Sequence, residues 1–540
     1  MSRALAIQEI VRQICAFLRG DKASLAALVS TCKSTHEPAV QELWHELLDL
    51  VSLVKCFPTD SWTTGAQYQL TFTRALQPQD WQRFLYYSQY VHSIGFREYW
   101  SWNDDCRFLH PETLVAMVAS RPLSIVLPRV RKFDWNCMSM RDKHLSDTLS
   151  LMGSQVRHLN LGFWGCDLDV AEHEQRPQTA LAEISGRFPM LACFEVGVAG
   201  YRMLHATGGR VHSHDGAFEP SHLPNLTIVR FHSVPIAQMM VSALARLPNL
   251  QILEATLSPR SAWSETLTSD ALPALRELIL MTTARTYIAF SAIATLENVE
   301  SVHLTITDYP EQSHIPTLFQ CVRRQFSPSS LRVLEICADD MYLEEAAQID
   351  AVVRPGHLES LYSFSKLVDF RLSMPCRYAL DDACYLDIAK SFPLLRTLRL
   401  ADSESCVHDT FPSMTALAPF AQHASLRTLS VAFDGTQKVW IPHIRNALPP
   451  RDRPSGVREL NVGNSPVARP QFAAAYLARL FPRVGGRDEL DLSFAQKPSE
   501  EIDEREARWS MVGQLLACFN VIREDERDMT TRMLARQSRA

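Results

Sequence analysis

The sequence predicts an α/β repeat protein, with parallel strands stacked on one side, helices on the other, and a small helical module in front. Three observations carry this. A hexamer of the form apolar-x-x-apolar-x-apolar recurs thirteen times, from VHSIGF at 91 to VRELNV at 457, at intervals of 24 to 39 residues. Its fifth position, flanked by apolar residues, is polar or charged in eleven of the thirteen, as a strand with one buried and one wet face requires. Many hexamers also follow a helix-like run that ends at proline, as in GRFPMLACFEV, ARLPNLQILEA and KSFPLLRTLRL. Proline stops the helix there and directs the chain into the next strand.

Taken in order, the first element is a helix with Ile7, Ile10, Ile14 and Leu18 on one face, stopped by Gly20. Asp21 caps a second, whose face is Leu25, Leu28, Val29 and Cys32. Pro38 fits the first turn of a third, which continues through Val40, Leu43, Trp44 and Leu47. Next come Asp80 as a helix cap and Trp81, Phe84 and Leu85 as a buried face. The repeats follow, one unit unable to bury its own strand face and each relying on its neighbours. Arg fills the second hexamer position in seven of thirteen, against 45 Arg in 540 residues, which strengthens the pattern beyond its apolar slots alone. A weaker echo, DELDL, lies at 488–492, and residues 202–223 read as a long loop. Trp509, Val512, Leu516 and Phe519 share one face of a closing helix, with Ser499 as its cap and Glu500, Glu501 and Asp503 in its first turn. The polar stretch 523–540 is expected to fray. The organisation is thus residues 1–50 as helical module, 51–90 as helical linker or cap, 91–495 as repeats, and 496–540 as capping helix and tail.

Three resemblances follow. The order I7-x-E9-I10-x-x-x-I14-x-x-x-L18, L25-x-x-L28-V29-x-x-C32, P38-A39-x-x-x-L43-W44 resembles the F-box motif over about residues 5–48. The L-x-x-L-x-L pattern of residues 90–495 resembles an irregular leucine-rich-repeat solenoid; Trp164, Asp339 and Ser403 stand where Asn or Cys is usual. Leu43-Trp44, then Cys56-Phe57-Pro58, then Asp80-Trp81-x-Arg83-Phe84 resemble the layout of fungal F-box-like proteins with degenerate repeats. An ordinary α/β domain is the competing fold; thirteen units without a Gly-rich phosphate loop argue against it.

Bulk properties bound the function. Net charge is −6 and pI about 6.3, which argues against a general nucleic-acid or membrane-surface binder while leaving room for a local basic patch. Thirteen dispersed cysteines, with no CxxC and no zinc spacing, read as buried thiols of a cytoplasmic or nuclear chain. The start MSRALAIQEI lacks a long apolar run, so no secretory leader is expected. GxGxxG, GxxxxGK[ST], GxSxG and HExxH are all missing, and no cofactor is implied. His212, His214 and Asp215 would hold a metal only if folded together. Cys406 and His408, two apart, have the residue types of a thiol nucleophile and its base, but an accidental pair is the simpler reading.

The F-box resemblance implies a Skp-type adaptor and a cullin-based SCF ubiquitin ligase, with this chain as its non-catalytic substrate receptor. Ile7, Ile10, Ile14, Leu25, Leu28, Val29 and Cys32 would supply the adaptor-facing surface or the module core; the sequence leaves those two roles undivided. The third and fifth hexamer positions would face a protein target, through Glu335, Asp369, Arg371 and Arg399, with Thr397, Glu459 and Asn461 beside them, or else serve only to keep an exposed parallel strand soluble. The alternative is a leucine-rich-repeat scaffold with no ligase role, favoured by Ile7-Gln8 where Leu-Pro commonly opens the motif. The receptor reading expects part of the module's apolar surface to stay exposed, the scaffold reading expects it packed inward.

Overall fold

The structure, a computed structural model, describes residues 7–65, 69–97, 108–109, 111–137, 142–164, 184–199, 222–268, 271–338, 349–402, 406–437, 455–484 and 500–537. They form two compact units, Met1–Thr256 and Leu257–Ala540. The echo at 488–492, the loop at 202–221, His212, His214, Asp215 and Ser499 lie outside the described residues.

The first unit opens with α1 (Gln8–Phe17), α2 (Lys22–Thr31) and α3 (Lys33–His45). Val11, Cys15, Leu25 and Ala39 make their core, and Leu18, Leu28, Val29 and Leu43 pack around it. Asp21 caps α2, accepting from Ser24 N at 3.0 Å. Cys32, extended at φ −161°, separates α2 from α3. Helix α3 therefore begins five residues before Pro38, which sits in its second turn rather than its first. Leu47 is not helical either. The chain leaves α3 at His45 and forms β1 (Glu46–Leu47).

Then come α4 (Val51–Val54), β2 (Trp62–Thr64), β3 (Gln69–Phe72), α5 (Trp81–Ser88), β4 (Ser93–Arg97) and β5 (Phe108–Leu109). The expected helical linker thus contains an antiparallel β2–β3 pair, because its Trp, Thr and Phe favour pleated surface. Asp80 does not cap α5; its carboxylate accepts from Gln77 N at 2.7 Å and Arg74 Nη1 at 2.6 Å, closing the turn before it. Trp81 and Phe84 are fully buried around Phe57, with ring centroids 4.9 and 5.2 Å away. The unit continues through α6 (Pro111–Ser120), β6 (Lys132–Cys137), α7 (Asp142–Ser150), β7 (His158–Trp164), β8 (Cys193–Ala199), β9 (Ile228–Ile236) and β10 (Ile252–Leu257). Its sheet runs β1-β4-β6-β7-β8-β9-β10.

The second unit has β11 (Glu277–Thr282), β12 (Ser301–Ile306), β13 (Val333–Ala338), β14 (Val352–Val353), β15 (Asp369–Ser373), β16 (Arg377–Ala379), β17 (Thr397–Leu400), β18 (Val407–Thr410), β19 (Thr428–Ser430) and β20 (Glu459–Asn461). Strands β11-β12-β13-β15-β17-β19-β20 form one parallel sheet, and β14-β16-β18 a smaller one. Helices between strands bury one side each, such as Tyr287 and Phe290 in Ala284–Ser291 and Ile315, Leu318 and Val322 in His314–Gln325.

Every one of the thirteen hexamers becomes a strand, and each strand begins at the hexamer's third position. The first apolar residue is buried in the turn ahead, as with Leu331, Leu367, Leu395 and Leu426. The carbonyl of the second position takes two N–H groups from the next unit: Arg332 O from Val368 and Asp369, Arg396 O from Arg427 and Thr428. The architecture is α/β with parallel sheets and outer helices, consistent with a repeat array.

The C-terminal helix, Glu500–Gln537, buries Trp509, Val512 and Leu516; Trp509 Nε1 donates to Ser465 O at 2.8 Å. Residues 523–537 continue it rather than fraying, because Glu, Arg, Met and Ala hold helix well.

Candidate functional site

Helix α1 carries two apolar stripes. Val11 and Cys15 face inward with Leu18. On another side Ile7, Ile10, Ile14 and Phe17 follow at intervals of three, four and three, which keeps them on one face. Ile7 is 47% exposed, Ile14 39% and Phe17 91%, while Ile10 is half-buried. The sequence pattern joined Ile7, Ile10 and Ile14 to Leu18 and missed Val11, Cys15 and Phe17. The step from Ile14 to Phe17 was the available signal.

The structure divides the remaining module residues. Leu25 is fully buried, so it belongs to the core. Leu28 and Val29 pack against that core. Cys32, extended just ahead of α3, has its Sγ 3.1 Å from Ser34 Oγ and 3.3 Å from Thr35 Oγ1. Those bonds, Ser34's first, pull the thiol down to about 7.

The second surface is the open face of the β12–β20 sheet. Cross-strand register places Glu335, Arg371, Arg399 and Asn461 in one row with His303 and Ser430. Asp369, Thr397 and Glu459 form the adjacent row with Ser301, two residues along. The residues singled out from sequence are therefore brought together on one partly exposed face. His303 Nδ1 lies 3.0 Å from Glu335 Oε2, and Arg371 Nε 3.4 Å from Asp402 Oδ1, which also accepts from Ser373 Oγ. The His303 hydrogen bond holds Glu335 below the usual carboxylate range, helped by Arg371 and Arg399. Burial pushes the neighbouring Cys337 thiol up to about 12. Arg399 has no ion-pair partner among the described residues. The first unit carries a similar ladder, with Arg230 between Glu195 at 2.6 Å and Glu254 at 3.5 Å.

Ser301 Oγ is 2.9 Å from His303 Nε2, so Ser301, His303 and Glu335 are linked in the order of a nucleophile, a base and its orienter. Strand β12 is bonded on both sides, to β11 and β13. Its ladder N–H groups are therefore spent on the neighbouring strands. Cys406 donates to Met374 O at 3.3 Å, whereas His408 stacks on Phe411 with its Nε2 shut off from water. Burial lowers that histidine to about 4, which makes it a poor base. Seven of the ten free cysteines described are buried. Among the described residues there is no group of three metal-ligating side chains, and no helix is long and apolar enough to cross a membrane. No family model and no curated protein sequence matches the chain.

Proposed function

We propose that the chain is the substrate-receptor subunit of an SCF-type cullin ubiquitin ligase. In this reading the Ile7–Ile10–Ile14–Phe17 stripe docks a Skp-type adaptor, and the polar face around Glu335, Asp369, Arg371 and Arg399 holds a protein target. The chain does no bond chemistry of its own; it contributes proximity and orientation. The observation that carries the reading is Phe17 at 91% exposure on a helix whose other face is already packed. Burying Phe17 in a partner would contribute about 1.5–3 kcal/mol. The order of the three helices, which resembles an F-box, supplies the partner.

The scaffold reading has one observation of its own. Helix α3 runs straight into β1, which pairs with β4, so the module also covers an edge of the sheet. Co-purification with the Skp-type adaptor separates the two. The receptor reading expects capture by the full chain and loss of capture by Phe17→Asp at unchanged thermal stability. A wild-type chain that captures no adaptor leaves the scaffold reading standing alone.

A further inference from the structure

The turns leading into β13, β15, β17, β19 and β20 share one edge of the second unit, because these strands are parallel neighbours. Arg332, Arg396, Arg427 and Arg458 stand immediately ahead of their strands, and Lys366 three residues ahead of β15; all five are exposed. Behind them, Arg323, Arg324 and Lys390 occupy the last turns of His314–Gln325 and Asp382–Ser391 and are exposed too. The turns 323–332, 362–368, 389–396, 422–427 and 455–458 contain no Asp or Glu. None of these eight cations forms an ion pair with a carboxylate among the described residues.

Helix dipoles account for Arg323, Arg324 and Lys390. They do not account for the row at the strand entries, since strands carry little net dipole. One member of that row is held in place. Arg427 Nη1 donates to Ala424 O, Leu426 O and Gly456 O at 3.2, 3.3 and 3.2 Å, and a side chain at Gly456 would run into that guanidinium. In a chain of net charge −6, an unpaired basic row is a local concentration of opposite sign.

We propose that this edge binds an acidic polypeptide segment. Five strand entries about 4.8 Å apart span about 20 Å, the length of roughly six extended residues. Arginine matches carboxylates through paired, charge-assisted bonds. Nucleic acid fits less well. Phe326, Phe364 and Phe392 in these turns are buried, so they offer no platform for bases. A longer polyanion would also run off the row onto a surface whose overall charge repels it. The inference takes from the proposed function only that the repeats hold a protein target.

The test is fluorescence anisotropy on the full chain with an oligoglutamate peptide of about eight residues, beside a DNA duplex of about twenty base pairs. The peptide should bind, more weakly as salt rises. The triple change Arg332→Glu, Arg396→Glu, Arg458→Glu should cost roughly tenfold or more in affinity. The same positions changed to Ala should show a smaller loss in the same direction, with unfolding temperature unaltered. Arg131→Glu and Arg157→Glu, at the equivalent position in the first unit, should change nothing. No peptide binding, binding indifferent to both triple variants, or tighter binding of the duplex would each overturn the proposal. Adaptor capture measured on the same preparations reports on the ligase reading separately, because the two surfaces share no residue.

Discussion

Cys15 and Phe17 lie two residues apart on α1, yet Cys15 is fully buried and Phe17 is 91% exposed. Two residues turn a helix by roughly 200°, so neighbours at this spacing face opposite ways. The helix is apolar on both sides, and only one side is needed for folding. Phe17→Asp should therefore change unfolding free energy by no more than about 0.5 kcal/mol. Leu25→Ala, in the core, should cost about 2–5 kcal/mol. Denaturant melts of the two variants check the division. A large loss at Phe17 would mean that its ring packs inward.

Gly95 in β4 lies against Leu48, just after β1; a Cβ added there would sit 2.5 Å from Leu48 O. Backbone cannot yield cheaply, so Gly95→Ala should destabilise the junction by about 1–3 kcal/mol. Amide exchange should speed up in residues 46–48 first. Unaltered protection there would show that the close approach is not needed.

Tyr287 and Gln325 are both fully buried, and the tyrosine hydroxyl donates to Gln325 Oε1 at 2.9 Å. Removing only the hydroxyl leaves the amide oxygen without that partner, so Tyr287→Phe should cost about 1–3 kcal/mol. Adding Gln325→Leu should recover part of that loss, since both polar partners are then gone. A double variant no more stable than Tyr287→Phe alone would contradict this.

His303 and Glu335 titrate as partners. The Glu335 hydrogen bond raises His303 above its ordinary 6.5, and His303 lowers Glu335 below its ordinary 4.5. A raised histidine stabilises the fold below pH 6.5, an effect lost as pH climbs through the folded-state value. A lowered carboxylate stabilises above pH 4.5, an effect lost as pH falls through its own folded-state value. The pair thus contributes most between pH 4.5 and 6.5. An NMR titration should place His303 above 6.5, and Glu335→Gln should bring it down. Raising pH from about 6 to about 8 should lower the unfolding midpoint more in wild type than in His303→Gln.

The strands were legible because their information is local. Alternation such as that in LRVLEI states which side is buried, and the structure begins a strand at the third residue of each such hexamer. Strand β1 was not legible, since two residues have no period and its existence depends on β4, more than forty residues later. The faces of α1 were half legible. Ile7, Ile10 and Ile14 mark a stripe as clearly as Val11, Cys15 and Leu18 do, and only α2 and α3 decide which is covered. The polar pairs of the sheet face were illegible as pairs, because His303 and Glu335 meet through register rather than through proximity in sequence.

The twofold acceptance at eleven of the thirteen second-position carbonyls has a consequence for how such a chain can change over generations. The joint between neighbours is made from main-chain atoms, so it is indifferent to the side chain at that position. His92, Thr227, Glu300 and Val368 make the same joint as the arginines do. Connecting segments are free to lengthen and residues to be exchanged while the stacking survives. Lineages built this way can lose nearly all recognisable resemblance to their relatives and still keep one geometry.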